Sequence, residues 1–370
     1  MCSILIYRFV KRALYHACKG IGLFHLSRYL TRSGLRILCY HGFEVLDESG
    51  FLPRTFISKE TFNRRLAFLG ANRFQVLRLG TALGLLERGE LPPCATVITI
   101  DDGFSSTYSC AYPILKEYSF PATVYITTYY SAKERPVFRL AVQYMFWKGC
   151  RGILDMEGLC GPDFRRVSMA RNEDRPAGMW DFIRYGEESC NEEQRAALLD
   201  TLGERLGVDN ESILSHRMFH LVTLGEVAMM HREGIDIQLH THRHAFPREE
   251  ARAKREIREN REALSSVISG PLEHFCYPSG IWSKEQWPWL AELGIKSAVT
   301  CEAGLNYANS PALALRRFID GEDISQIEFE AELFGFAEML RKLRSVLTLG
   351  YSKGSPEAST HCDARTGESA

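Results

Sequence analysis

Short apolar segments rich in β-branched residues alternate with helical patterns from residue 36 to residue 318. The clearest of them, residues 95–100, is continuous enough for a strand buried on both faces. About seven such segments occur, most of them separated by a helix: residues 36–40, 95–100, 122–127, 235–239, 273–277, 296–300 and 313–318. This alternation predicts a parallel sheet, either open or closed into a barrel.

Two parts of the chain depart from this alternation. Residues 131–220 contain an aromatic patch at residues 138–147 and a charged helical stretch at residues 191–206. They predict a mainly helical insertion between consecutive strands of one domain that spans residues 36–346. Residues 347–370 are mostly small, polar and charged, which predicts a disordered tail.

Composition excludes several classes of protein. The 370 residues are 45% hydrophobic and 25% charged, with a formal net charge of −1, so a folded soluble chain without a nucleic-acid partner is expected. The eleven cysteines are scattered without a C-x-x-C pair, which argues against a zinc ribbon or a disulfide framework. No apolar run approaches the roughly 20 residues that span a bilayer, or forms the core of a signal peptide. We therefore expect a cytoplasmic protein, peripheral on the inner membrane if its N-terminus binds lipid.

Residues 1–35 form a basic amphipathic segment with no acidic residue before Glu44. At 100° per residue, one helix face is apolar: Ile6, Phe9, Val10, Ala13, Leu14, Ala17, Ile21 and Phe24. The opposite face is basic: Arg8, Lys11, Arg12 and Lys19. Two interpretations remain open. The helix lies on an anionic membrane surface, or it packs on the main domain with its basic side in water.

Two adjacent carboxylates, Asp101 and Asp102, follow the strand at residues 95–100 directly. Buried carboxylates without a partner are costly, and the carboxyl ends of parallel strands are where α/β proteins place their sites. The alternative is turn chemistry, in which Asp-Gly closes a turn and one carboxylate caps the next helix.

Three histidines, His240, His242 and His244, lie within five residues at the end of the strand at residues 235–239. Neutral imidazoles together with a carboxylate are typical ligands of Zn²⁺, and three protein ligands leave a position for water or substrate. The cluster, together with the Asp pair, predicts a divalent metal site.

The order of these motifs, completed by residues 277–280 (Tyr-Pro-Ser-Gly), resembles the polysaccharide deacetylase family (the NodB homology domain, carbohydrate esterase family 4). The resemblance covers residues 36–320 without the insertion. It implies a distorted (β/α)₇ barrel of the NodB type, and this agrees with the strand count.

The same resemblance implies roles for individual residues. Asp101 is the general base, and Asp102, His240 and His244 are the metal ligands, with Zn²⁺ as the first choice and Co²⁺ or Ni²⁺ as alternatives. A backbone N–H near the Tyr-Pro-Ser-Gly motif, for which we choose that of Ser279, helps to hold the oxyanion.

The sequence departs from the family pattern at three points, one of which is that the Asp-Trp motif is not recognisable. Cys276 stands where many members have an arginine that steadies the catalytic Asp, so Arg316 or Arg317 is expected to take over that task. The late Leu-x-His motif, whose histidine acts as general acid, is not recognisable. We expect His41, at the end of the first strand, to serve instead.

The implied reaction is metal-assisted removal of an N-acetyl group from a sugar or lipid-linked glycan in cell-envelope or exopolysaccharide biosynthesis. Two alternatives remain: hydrolysis of another small amide, or a catalytically silent carbohydrate-binding protein.

Overall fold

The computed structural model describes residues 2–149, 152–161, 164, 166–169 and 174–349, with side chains from residue 6 to residue 345. The strands are β1 (Arg36–Tyr40), β2 (Gly42–Phe43), β3 (Phe56–Ile57), β4 (Gln75–Val76), β5 (Ala95–Ile100), β6 (Thr123–Ile126), β7 (Ile153–Asp155), β8 (Arg166–Ser168), β9 (Asp236–Leu239), β10 (His274–Cys276), β11 (Ser297–Val299) and β12 (Phe318–Ile319).

The helices are α1 (Cys2–Gly20), α2 (Leu23–Leu30), α3 (Glu48–Phe51), α4 (Lys59–Ala71), α5 (Leu79–Glu87), α6 (Tyr112–Tyr118), α7 (Phe138–Lys148), α8 (Glu157–Cys160), α9 (Asp174–Ser189), α10 (Glu192–Leu206), α11 (Asn210–Ser215), α12 (Leu224–Arg232), α13 (Glu250–Ser265), α14 (Trp287–Glu292), α15 (Gln326–Leu333) and α16 (Phe336–Leu349). The predicted tail therefore begins inside α16, and residues 350–370 lie outside the described residues. None of the described helices is long and apolar enough to cross a membrane.

The main sheet is parallel, in the order β11-β10-β9-β6-β5-β1-β12, with β4 beside β5. Leu315, shortly before β12, forms a parallel bridge with Val299 of β11, which brings the two ends of this series together. The predicted distorted seven-stranded barrel with a helical insertion is confirmed.

Burial explains why these segments fold as they do. All six residues of β5 are buried, as expected of a strand covered on both faces. Ser58 caps the N-terminus of α4, because its hydroxyl accepts a hydrogen bond from the N–H of Thr61. Thr223 and Glu226 form a capping box at the N-terminus of α12. These local signals fix where the helices between the strands begin.

The insertion lies between β6 and β9, which pair in parallel as neighbours. It contains helices α7 to α11 and the antiparallel hairpin β7–β8. Its apolar cluster includes Phe56 and Phe104 from the barrel. The insertion therefore shares its core with the barrel and is fixed beside the carboxyl edge of the sheet.

The predicted boundaries differ from the structure near the C-terminus. The last strand was expected at residues 313–318, but Ala312–Ala314 forms a 3₁₀ turn and β12 is only Phe318–Ile319. Nearby, Lys284–Gln286 forms a 3₁₀ turn and α14 follows it, with Pro288 in the first turn of α14, where the N–H that proline lacks is not needed.

Helix α1 packs on the barrel through the side opposite to the one that the packing interpretation predicts. Its basic side contacts acidic residues of the barrel, and its apolar side faces solvent. Phe24 of α2 is the exception among the apolar residues, because it is buried against Phe334 and Phe336. The packing interpretation with a solvated basic side is therefore wrong.

Candidate active site

The residues singled out in the sequence converge at one edge of the sheet. Asp101 and Asp102 follow β5, His41 follows β1, and His240 follows β9. Ser279 lies in the turn after β10. Because these strands are parallel members of one sheet, their carboxyl ends meet at the same edge.

The backbone at this edge contains four non-glycine residues in the left-handed region: Asp102, Thr241, His244 and Ser279, with φ of 66°, 64°, 53° and 57°. Such conformations are uncommon outside glycine and tend to cluster where a binding or catalytic site is built. The motif turns therefore carry local conformational strain.

Asp101 is buried and forms a two-point ion pair with a buried arginine. Both of its carboxylate oxygens accept hydrogen bonds from the Arg317 guanidinium, each at 2.7 Å. Burial by itself would raise the pKa of Asp101, but Arg317 outweighs this effect and the pKa lies well below its usual range. Asp101 is therefore ionised at neutral pH. Arg316, the other arginine considered for this position, is half-exposed near Glu302.

Two cysteines complete the surroundings of Asp101. Cys276 Sγ lies 3.2 Å and Cys39 Sγ 3.5 Å from Asp101 Oδ2. Burial raises the pKa of both thiols well above the usual value, so each is an S–H that donates to the carboxylate. No site role was predicted for these cysteines from the sequence. The available signal was Cys276 at the position where the family has an arginine.

Asp102, His240 and His244 form a compact group on the other side of this edge. Asp102 Oδ1 lies 3.1 Å from His240 Nε2 and 3.3 Å from His244 Nε2. One ligand atom from each residue lies within 4.8 Å of those of the other two. Burial alone would raise the pKa of Asp102, but the two histidines lower it well below its usual value.

The donor set of this group fits a divalent cation. His240 Nδ1 lies 2.8 Å from the carbonyl oxygen of Cys276, which can only accept, so Nδ1 carries a proton. His240 Nε2 faces a carboxylate oxygen of Asp102 at 3.1 Å, and this contact requires a proton or a cation between the two atoms. Two imidazole nitrogens and one carboxylate oxygen are the ligand types that suit zinc and its neighbours.

His41 lies beside Asp101 and outside the three-residue group. Its Nε2 is 3.8 Å from Asp101 Oδ2, and its side chain is about one-fifth exposed. Its buried Nδ1 finds no hydrogen-bond partner in the described part of the chain. His41 therefore reaches both solvent and the carboxylate of Asp101.

His242 and Ser279 are placed differently. The His242 ring is turned away from the three-residue group, with Nδ1 2.8 Å from the hydroxyl of Thr128, which also accepts a hydrogen bond from Asn260. Ser279 lies three residues beyond Cys276, in the turn closed by a hydrogen bond from the Gly280 N–H to the Tyr277 carbonyl.

Residues 88–151 and 211–298 match the family described as polysaccharide deacetylase, and the gap between the two matched segments falls within the insertion. The chain contains a polysaccharide deacetylase domain. The matched segments include Asp101, Asp102, His240 and His244, as well as the turn with Ser279.

The deacetylase domain is similar to one curated protein of Bacillus subtilis (strain 168), "Putative polysaccharide deacetylase YxkH". The two sequences are 34% identical over 93 residues, which is 25% of this chain and 31% of the relative. The aligned region thus spans about a third of the length of that relative.

Solved structures agree in fold. The deacetylase PplD of Streptococcus pyogenes, in complex with acetate, has a TM-score of 0.54 and 17% identity, over 82% of this chain and 99% of PplD. IcaB of Ammonifex degensii has a TM-score of 0.51 and 17% identity, over 81% of this chain and 97% of IcaB. At these identities the comparison supports the barrel fold.

Proposed function

We propose that this protein hydrolyses the N-acetyl group of an amino sugar within a polysaccharide or lipid-linked glycan and releases acetate. The observation that carries the proposal is the pairing of two carboxylates with different partners at one edge. Asp101 is held by Arg317, and Asp102 is held by two histidines. Neighbouring carboxylates with different surroundings are suited to different tasks, here proton transfer and metal binding.

Asp102, His240 and His244 would hold a divalent cation, with Zn²⁺ as our first choice. The cation would polarise the amide carbonyl and lower the pKa of a water molecule next to it. The protein prepares its ligands for this, because the Cys276 carbonyl fixes the ring orientation of His240 and leaves Nε2 as the ligand atom.

Asp101 is the proposed general base. Arg317 keeps its carboxylate ionised and fixed in direction, which ensures that a proton acceptor is present at neutral pH. The arginine also reduces the basicity of the carboxylate, so proton transfer depends on close positioning of the attacking water.

His41 is the proposed general acid for the leaving amine. It lies next to Asp101 and is reachable from solvent, so it is placed to exchange protons at this edge. The N–H of Ser279 is proposed to stabilise the oxyanion, since its turn lies at the same edge as the two carboxylates.

The substrate class follows from the family. The matched family acts on polysaccharides, and we propose a role in cell-envelope or exopolysaccharide biosynthesis in the cytoplasm. The deciding experiment measures acetate release from a panel of N-acetylated oligosaccharides, polymers and lipid-linked intermediates, before and after treatment with a chelator and with Zn²⁺ restored.

Chelator-sensitive acetate release that zinc restores supports the proposal. A metal-loaded protein that releases acetate from none of these substrates would instead indicate a silent carbohydrate-binding relative. Turnover restricted to small non-sugar amides would replace the proposed substrate class.

A further inference from the structure

The outer surface of α1 and α2 is apolar and exposed to solvent. Phe9 is 75% exposed, and Ile6, Val10 and Leu14 on the same side of α1 are each more than half exposed. On α2, which contacts α1, Leu26 and Leu30 are also more than half exposed. We call these six residues the α1–α2 apolar face. Large contiguous apolar surfaces on soluble proteins mark sites of protein or membrane contact.

The ion pairs of α1 explain why this face points outward. Lys11 and Arg12 both bind Glu328, at 2.9 and 3.0 Å, and Lys19 binds Glu330. The carboxylates of Glu328 and Glu330 are about nine-tenths buried, so loss of these cations would leave buried charge unpaired. The polar side of α1 therefore holds the helix on the barrel, and the apolar side cannot turn inward without breaking these pairs.

The charges of the two helices favour one kind of occupant. No acidic residue occurs before Glu44, so the charged groups that α1 and α2 themselves contribute are all basic. At one end the exposed Arg32 guanidinium lies 4.4 Å from the centre of the exposed Tyr29 ring. A second copy docked through the same face would bring two cationic rims together. An anionic lipid surface satisfies both the apolar face and its cationic rim.

We propose that the α1–α2 apolar face is a membrane-binding surface. Its apolar side chains enter the boundary between headgroups and acyl chains of an anionic bilayer, while the barrel remains in water. Because Lys11, Arg12 and Lys19 are paired with the barrel, apolar contact supplies most of the binding, and the basic rim contributes a smaller, salt-sensitive part.

The same ion pairs set the orientation of the barrel on the membrane. Along α1, Arg8, Arg12 and Lys19 pair in order with Asp323, Glu328 and Glu330, so α1 runs beside α15 in the same direction. Since α15 is one of the helices around the barrel, α1 separates the side of the barrel from the membrane, and the carboxyl edge with the candidate site does not take part in the lipid contact.

The test uses the full chain and flotation with vesicles. One set contains phosphatidylglycerol and phosphatidylcholine, and the other contains phosphatidylcholine alone. The wild type should bind the anionic vesicles and keep part of this binding at high salt. Phe9→Ser/Val10→Ser/Leu14→Ser should weaken partitioning at least about 100-fold, since each substitution removes an apolar side chain from the lipid contact.

The matched control is Ile153→Ser, because Ile153 is 70% exposed on the β7–β8 hairpin, away from this face. It should bind as the wild type does. The proposal is overturned if the wild type binds neither kind of vesicle. It is also overturned if the triple variant binds the anionic vesicles as well as the wild type does. A dimer in sedimentation that the triple variant abolishes, without vesicle binding, assigns the face to a second copy and also overturns it.

A second measurement does not depend on the folding of the triple variant. Phe9→Trp replaces one aromatic residue by another at an exposed position. Lipids with brominated acyl chains should quench the tryptophan fluorescence of this variant more strongly than that of the wild type. Equal quenching of the two proteins overturns the proposal. Neither assay requires turnover, so the outcome is independent of the proposed reaction.

Discussion

Arg317 donates hydrogen bonds to both carboxylate oxygens of Asp101. Asp101 directly follows β5, and Arg317 lies just after the Val299–Leu315 bridge that closes the barrel. The guanidinium thus takes the place of the arginine expected two residues before Pro278, where this chain has Cys276. The arginine and the cysteine also touch, with Arg317 Nη2 3.3 Å from Cys276 Sγ. A positively charged partner for the proposed base is therefore supplied from a different strand.

Replacement of Arg317 should raise the pKa of Asp101 and lower the stability of the protein. In Arg317→Met, burial acts unopposed and raises the pKa of Asp101, so the acid limb of the kcat/KM profile should move to higher pH. The free energy of unfolding at neutral pH should fall by about 3–5 kcal/mol, because a buried carboxylate loses its partner.

The sign of the pH dependence provides a further check. In the wild type the depressed pKa of Asp101 contributes stability above pH 3.8, the ordinary value, and this contribution is lost as pH falls through the lower folded pKa. The stability deficit of the variant should therefore shrink on acidification. Arg316→Met is the control, because Arg316 is half-exposed and does not touch Asp101. An unchanged acid limb in Arg317→Met would contradict the assignment.

Substitution of the proposed metal ligands and substitution of the proposed base should have different effects on the amount of bound metal. Asp102→Ala, His240→Ala and His244→Ala should each lose bound metal, because each removes one of three ligands. Asp101→Ala should keep the metal and lose about 10²–10⁴-fold in turnover, since it removes only the proton acceptor.

Mass spectrometry of the purified proteins for zinc, cobalt and nickel measures the difference. His242→Ala serves as the matched control, because His242 hydrogen-bonds to Thr128 and should leave metal content unchanged. Full occupancy in His244→Ala would remove this residue from the ligand set.

The thiols of Cys39 and Cys276 should influence the pKa of Asp101 without taking part in the reaction. In Cys276→Ala the carboxylate loses an S–H donor, which favours its protonated form and should move the acid limb of kcat/KM upward while turnover at neutral pH persists. Cys110→Ala, another buried cysteine, should leave the profile unchanged. Complete inactivation by Cys276→Ala, in a protein that still melts cooperatively, would instead indicate a direct catalytic role.

No disulfide is expected to accompany these thiols. Seven cysteines in the described part of the chain are free thiols: Cys18, Cys39, Cys94, Cys110, Cys160, Cys190 and Cys276. Thiol titration of the denatured, unreduced protein should therefore find nearly all of the eleven cysteines of the chain reactive. A markedly lower count would revise both the redox state and the cytoplasmic assignment.

The loss of turnover on substitution of His41 should be larger for a leaving group that must be protonated than for one that need not be. His41→Ala should reduce turnover of an N-acetyl sugar by about 10²-fold or more, because an amine leaves poorly without protonation. It should reduce hydrolysis of an activated aryl acetate much less, because a phenolate leaves without help. His216→Ala, at an exposed position in the insertion, is the control. Equal losses on both substrates would assign His41 to a step before departure of the leaving group.

The strands, and the convergence of the four residues proposed as base and metal ligands, were predictable because both signals are local. A continuous β-branched run such as β5 identifies a buried strand, and Asp101 and Asp102 follow it directly in sequence. His240 follows β9 in the same way, and His244 lies four residues further along the chain. In a parallel sheet, residues directly after strands meet at one edge, so the sequence positions implied proximity before any distance was known.

The partner of Asp101 was not predictable to the residue. Adjacent residues on an extended segment point to opposite sides, so the choice between Arg316 and Arg317 depends on register, which a run of about six residues leaves open. Cys39 and Cys276 were missed as donors for a related reason. Their contact with Asp101 joins β1, β5 and β10, which are distant in sequence.

The sequence by itself determined which elements form and which chemistry their ends carry, because periodicity, capping and strand-end motifs act over a few residues. It also determined that α1 has a basic and an apolar face. Only the tertiary structure decided which face packs inward, since that depends on Glu328 and Glu330, more than 300 residues away, whose ion pairs with α1 leave its apolar side in solvent. Long-range charge complementarity of this kind leaves no periodic trace in either segment.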